Sequence, residues 1–226
     1  MLAMPALCWL CQMPLQIARH GLCSLCLREL PPLPLLCPRC GLPAGTTRVA
    51  CGRCQRKPPA WQALVCVNDY RPPFSEWVNQ LKFSHITALR VMLARLLLLS
   101  WLDVWRHGRV VRPDLLLPVP LHWRRRWRRG YNQSALLAAP LAHWLRCEWR
   151  DGLSRQRRGA LQHQLTARQR RTNLRDAFRL EMAVQGRHIA LLDDVITTGS
   201  TVDEISRLLL AQGAASVQVW CLCRTL

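Results

Sequence analysis

The chain has 226 residues, half of them hydrophobic, enough for one medium-sized globular domain with a good core and a small appendage. Its formal net charge of +19 is far more than a small-molecule enzyme needs, and only Lys57 and Lys82 are lysines, so arginine carries nearly all of it. Arginine grips phosphate bidentately and stacks on flat rings, which favours a polyanion such as nucleic acid. A GC-rich gene would explain arginine in place of lysine but not the shortage of acids, 13 against 32 basic residues.

The N-terminus lacks a basic region, and Pro5, Cys8, Cys11 and Pro14 interrupt any apolar export segment, so a cytoplasmic location is expected. Residues 1–57 form a unit defined by cysteine. Cys8/Cys11, Cys23/Cys26, Cys37/Cys40 and Cys51/Cys54 are four CxxC pairs, eight of the chain's 12 cysteines. In a reducing compartment each pair presents two thiolates to a metal ion, and eight thiolates fill two structural Zn2+ sites. Sequential pairing gives one site from Cys8, Cys11, Cys23 and Cys26 and another from Cys37, Cys40, Cys51 and Cys54; spacing alone leaves an interleaved pairing open. An iron–sulfur cluster uses similar donors, and a thioredoxin-like dithiol needs only one pair, so the fourfold repeat favours zinc. Sites closed by four sulfurs are structural, which places any catalysis in residues 58–226.

Residues 56–59, RKPP, read as a linker, and 61–70 as a strand entering the second domain. Trp77, Val78 and Leu81 give helical spacing over 74–83, with Lys82 at its end as either an anion ligand or a solvated terminus. Residues 89–105 read as an apolar core helix; Arg95 interrupts it, and it is too short to span a membrane. Residues 114–121, DLLLPVPL, read as a second buried strand closed by prolines.

The most basic run follows, HWRRRWRRGYNQ at 122–133, in which His122, Arg124, Arg125, Arg126, Arg128 and Arg129 interleave with Trp123, Trp127 and Tyr131. Arginine among aromatic rings is the chemistry of single-stranded nucleic acid binding. Two other readings compete: a solvated helix start whose tryptophans pack inward, and a run whose arginines hold a pyrophosphate, alone or together with nucleic acid. Residues 153–175 are polar and arginine-rich, either a lid over a bound anion or a plain loop, after which 173–180 should rejoin the sheet.

The most informative stretch is HIALLDDVITTGSTVDEISRLLLAQG at 188–213. A buried strand ends in Asp193 and Asp194; a loop of Thr197, Thr198, Gly199, Ser200 and Thr201 follows; then Val202, Ile205, Leu208 and Leu209 recur at helical spacing. Glu204 stands three residues after Thr201, as in a capping box, and Gly213 sits where a C-terminal cap belongs. First-turn N–H groups and hydroxyls suit a phosphate. Two carboxylates beside an anion would repel it unless they bind its hydroxyls or a divalent cation, and a sugar phosphate with a cis-diol plus Mg2+ meets both demands. Residues 217–223 read as a last strand with Cys221 and Cys223 as core packing. The whole is an α/β domain with a parallel-dominated sheet and its site at the carboxyl ends of the strands.

The acid pair and Thr/Gly loop resemble the phosphoribosyl pyrophosphate (PRPP) motif of type I phosphoribosyltransferases. Together with the cysteine-rich start, PVPLHWRRRWRRGYNQSALLA and QHQLTARQRRTNLRDAF, they resemble the ComF/GntX family over nearly the whole chain. Its members join a double zinc ribbon to a phosphoribosyltransferase-like domain. The resemblance implies PRPP and Mg2+ at Asp193, Asp194, Val195, Thr197, Thr198, Gly199, Ser200 and Thr201, with Asp193 and Asp194 catalytic in any transfer. It places the pyrophosphate loop at 121–124 and a flexible hood at 162–178, including Gln164, Arg168 and Arg171. No hood signature for a particular nucleobase is recognisable. Because the family is linked to competence and to DNA as a nutrient, the resemblance implies handling of single-stranded DNA, with a DNA-uptake protein at the inner membrane as partner. An active Mg2+-dependent transferase and a PRPP-sensing regulator are the alternatives.

Overall fold

Runs buried on both faces lose the alternation of a half-exposed strand and suit a parallel sheet covered by helices. The computed structural model describes residues 6–121, 123–155 and 177–226. In it β1 (Ala63–Asp69), β2 (Leu115–Pro118) and β3 (Glu148–Trp149) join two longer strands, β6 (His188–Ile196) and β7 (Ser216–Arg224), in the order β1-β7-β6-β2-β3. Every neighbouring pair is parallel, with Asp193 opposite Cys221 and Ile196 opposite Arg224. A separate antiparallel ribbon pairs β4 (Leu153–Arg155) with β5 (Phe178–Leu180).

Helices cover both faces. On one, α3 (Phe74–Phe83), α4 (Leu89–Arg106) and α6 (Gln133–Leu145) pack Phe74, Trp77, Leu93 and Leu141 against Ala190, Leu192 and Trp220. On the other, α7 (Ser200–Ala211) packs Val202, Ile205 and Leu209 against Ile189, Leu191 and Val219. The two α4 and β7 tryptophans that meet in the core keep their N–H groups satisfied: Trp101 and Trp220 both donate to Gln218 Oε1, at 3.3 and 2.9 Å. Among the described residues no helix is long and apolar enough to cross a membrane.

Among its described residues the cysteine-bearing lobe carries only short helices, a 3-10 helix (Ala18–His20), α1 (Ser24–Arg28) and α2 (Gly52–Arg56), and borrows core from its neighbour. Cys8, Leu22 and Cys26 join the cluster around Met92. Gly21, at φ +70°, lets α4 approach so closely that a Cβ would lie 2.5 Å from Met92 Cβ.

Two expected boundaries are corrected. The stretch read as a polar loop from residue 153 begins as a strand, and the segment expected to rejoin the main sheet before residue 180 pairs with β4 instead. Both strands are three residues long, too short to show a hydrophobic period.

Candidate phosphate site and cysteine centres

The cysteine sulfurs gather in sequence order. Cys8, Cys11, Cys23 and Cys26 lie within 4.8 Å of one another, as do Cys37, Cys40, Cys51 and Cys54. The Cys11–Cys23 and Cys40–Cys51 sulfurs are each 3.8 Å apart. Four sulfurs at about 2.3 Å from one Zn2+ in a tetrahedron stand about 3.8 Å apart, so the donor set fits. The N–H groups of Cys23 and Cys51 point at Cys8 and Cys37 Sγ, at 3.4 and 3.3 Å. Burial alone would raise these two thiols, but main-chain N–H groups of Cys11, Cys23 and Leu10 hold Cys8 down to about 6, and those of Cys51, Cys40 and Arg39 hold Cys37 down to about 7. Cys26 and Cys54 move the other way, through burial and then neighbouring sulfurs. Four thiolates in one knot repel one another unless a cation sits among them.

At the other end of the chain, β6 carries its acids to the carboxyl edge of the sheet. Adjacent strand residues face opposite sides. Asp194 therefore opens on the side of α3, where Lys82 Nζ lies 2.9 Å from its Oδ1 and the two side chains are 15% and 11% exposed. The solvated-terminus reading of Lys82 fails: it is the partner of Asp194. Asp193 takes the other register, and its Oδ1 accepts the Asp194 N–H at 2.9 Å. Burial, and then the Asp194 carboxylate beside it, push Asp193 well above the usual carboxylate range.

That shift has a sign that can be measured. An acid whose pKa is higher folded than unfolded favours the fold at low pH, and the benefit is lost as pH rises through the folded value. Asp193→Asn is therefore expected to raise the melting temperature at about pH 8, by ~2–4 °C for each kcal/mol relieved. The gain should vanish toward about pH 4, the ordinary carboxylate range. A variant that melts like wild type at both pH values would contradict this.

The loop after β6 leaves Thr197, Thr198 and Ser200 exposed, with Thr198 Oγ1 and Ser200 Oγ 2.9 Å apart. The expected capping box is absent. Gly199, at φ +79°, is the cap of α7; Thr201 lies inside the first turn, and Glu204 Oε1 instead accepts the Ala177 N–H at 3.4 Å. The cause is positional: the chain needs a left-handed residue where a Cβ would stand 3.0 Å from the Trp61 ring.

The RGYNQ segment sets the neighbouring wall. Gly130 follows α5 (Trp123–Arg129) with φ +74°. Tyr131 donates its hydroxyl to the Leu81 carbonyl at 2.5 Å, and the Asn132 side chain both caps α6 through the Ser134 N–H (3.1 Å) and donates to the Val119 carbonyl (3.0 Å). These bonds hold α5 beside Lys82. The Arg129 guanidinium stacks 4.9 Å from the Phe83 centroid; burial draws its pKa down while Asp194 pulls it up. Arg125 and Arg128 are exposed, and Trp127 is 86% exposed, so it does not pack inward. His122, the side chains of Arg124 and Arg126, and the hood residues Gln164, Arg168 and Arg171 lie outside the described residues.

Two side chains of this site were not singled out from sequence, Trp61 and Arg224, and Lys82 was offered only as an anion ligand with no stated partner. Lys82 was signalled by being one of two lysines in an arginine-rich chain. Arg224 was signalled by a charge ending the apolar run VQVWCLCR.

A parallel sheet with a strand that carries two acids near its carboxyl end and runs into a hydroxyl-rich loop, joined to two four-cysteine centres, is a type I phosphoribosyltransferase fold preceded by a lobe that fits a double zinc ribbon. Residues 132–226 match the family described as Phosphoribosyl transferase domain. The chain is 56% identical to DNA utilization protein YhgH of Salmonella typhi over 227 residues, covering 100% of both, and 38% identical to Competence protein F of Haemophilus influenzae, covering 96% of both. It is also similar in structure to the glutamine PRPP amidotransferase of B. subtilis, with 22% identity, 49% of this chain and 22% of that chain covered, and a TM-score of 0.37. The chain belongs to the ComF family.

Proposed function

We propose that the protein binds PRPP with Mg2+ at residues 193–201 and handles single-stranded DNA on the adjoining arginine–tryptophan surface, serving uptake or nutrient use of DNA in the cytoplasm. The observation that carries this is the Lys82–Asp194 pair at the rim of the hydroxyl loop. An ammonium held on that carboxylate marks a place where a diol or cation can be exchanged for it. The hydroxyls of Thr197, Thr198 and Ser200 then take the 5′-phosphate, Asp193 and Asp194 accept ribose hydroxyls, and Lys82 and Arg129 face the pyrophosphate. Mg2+, when bound, supplies charge neutralisation of that pyrophosphate. Zn2+ in the two cysteine centres supplies structure.

The names of the YhgH and Competence protein F relatives support the DNA half of the reading, as does an indole 86% exposed between two exposed arginines beside the site. Fluorescence anisotropy with a single-stranded oligonucleotide tests it. Trp127→Ala is expected to lose ~1–3 kcal/mol per stacked base. Removing Arg125 and Arg128 should flatten the salt dependence by about 0.7 in log–log slope for each lost phosphate contact. Wild-type affinity in Trp127→Ala would remove the stacking surface. The second reading is a transferase: Lys82 and Arg129 lie where charge develops on departing pyrophosphate, and PRPP-dependent pyrophosphate release with a nucleobase would reveal it.

A further inference from the structure

Arg224 ends β7 and is only 4% exposed, yet among the described residues no carboxylate pairs with it. Its partners are main-chain carbonyls. Nη1 donates to Ile196 at 3.0 Å, to Thr197, and to Thr225 at 3.4 Å, while Nε donates to Cys40 at 3.1 Å. A buried charge with no counter-ion is costly, so what it holds matters. The C=O and N–H of a trans peptide point in opposite directions. With the carbonyls of Ile196 and Thr197 turned to the guanidinium, the N–H groups of Thr197 and Thr198 are turned to the open side of the loop. Arg224 thus sets the donors toward an anion and adds its own positive field beneath them.

Trp61 is a second strut. It is 4% exposed, its indole N–H donates to the Arg39 carbonyl at 2.6 Å, and its ring fills the space behind Gly199. The Leu64 N–H takes the Pro38 carbonyl at 3.1 Å. The successive carbonyls of Pro38, Arg39 and Cys40, the turn between the first two ligands of the second cysteine centre, are therefore each spent on the phosphoribosyltransferase-type domain: one on β1, one on Trp61, one on Arg224. The first centre packs on α4 instead.

We propose that Arg224 and Trp61 are positioning residues that seat the 196–199 loop on the second cysteine centre, so that metal in that centre and an anion in the loop strengthen each other. Among the described residues the first centre has no such link. The phosphoribosyl reading supplies only the identity of the anion. Coupling of this kind is reciprocal: whatever factor zinc adds to anion affinity, the anion adds to zinc affinity.

Hydrogen exchange by mass spectrometry on the full-length, zinc-loaded protein tests it, comparing wild type with Arg224→Met, Arg224→Lys and Trp61→Phe. Arg224→Met is expected to speed exchange about tenfold, the size of one lost charge-assisted hydrogen bond, in peptides covering both 36–42 and 195–201. Peptides covering 7–12 should be unchanged. Trp61→Phe, which keeps an aromatic ring but loses the N–H and the indole carbons behind Gly199, should give a rise in the same two places and carries the test if Arg224→Met does not fold. Arg224→Lys should restore one region but not both, because a single ammonium cannot span the two sets of carbonyls. With a zinc-selective chelator, one of the two ions should leave faster from Arg224→Met, and PRPP with Mg2+ should slow that ion alone in wild type. A rise confined to β7, one spread evenly over the chain, or zinc loss at wild-type rates would overturn the proposal. Should wild type fail to bind PRPP by calorimetry while the exchange pattern holds, the seating of the loop on the second centre stands and the phosphoribosyl reading falls.

Discussion

Asp194→Asn is expected to weaken binding of Mg2+–PRPP by about a hundredfold or more, the loss of two charge-assisted hydrogen bonds worth ~1.5–3 kcal/mol each. The same change should lower the melting temperature, because it leaves Lys82 largely buried without its 2.9 Å partner. Its neighbour is expected to behave oppositely, since Asp193→Asn relieves a carboxylate that burial already disfavours. Two adjacent isosteric changes with opposite effects on stability therefore separate a ligand-binding loss from a folding loss. Calorimetric titration of the folded Asp194→Asn protein decides it: an affinity within a few-fold of wild type would remove the phosphoribosyl site.

The second large effect concerns metal. A structural Zn2+ contributes ~10–16 kcal/mol of apparent binding free energy in small metallo-domains, comparable to the whole stability of an ordinary domain. Among its described residues the lobe before residue 57 has two five-residue helices, a three-residue 3-10 helix and little core of its own. Stripping both ions is expected to open residues 6–57 to limited proteolysis and to lower the melting temperature of the chain by ~10 °C or more, at ~2–4 °C per kcal/mol. A chelator-treated protein, free of zinc by metal analysis yet melting like wild type, would show that the cysteine centres do not need the ion.

Much of this was legible in the residues. The helix expected over 74–83 has those limits, and the strand at 188 and the cysteine donors stand where spacing put them. Those signals are local: a hydrophobic period, a repeated CxxC, two acids at the end of an apolar run. What escaped depends on distant partners. The pairing of the cysteines needed the turns that bring Cys23 to Cys11. The cap of α7 went to Gly199 rather than Thr201 because Trp61, far earlier in the chain, occupies the space behind it. Lys82 stayed open between an anion ligand and a solvated end because nothing near it in sequence announces Asp194. Arg224 drew no reading from the sequence because carbonyls, its partners, carry no signature there.

The scarcity of lysine has a practical side. Lys57 stands exposed, while the Lys82 amine is shut against Asp194 with 15% of its side chain accessible. Acylating reagents therefore meet two lysine amines of unequal reactivity, separated by sequence and easily told apart in a digest. Any molecule that draws Asp194 away from Lys82 bares the second amine, and any molecule that lays phosphate across it hides it further. The chain carries its own chemical reporter of what occupies the site.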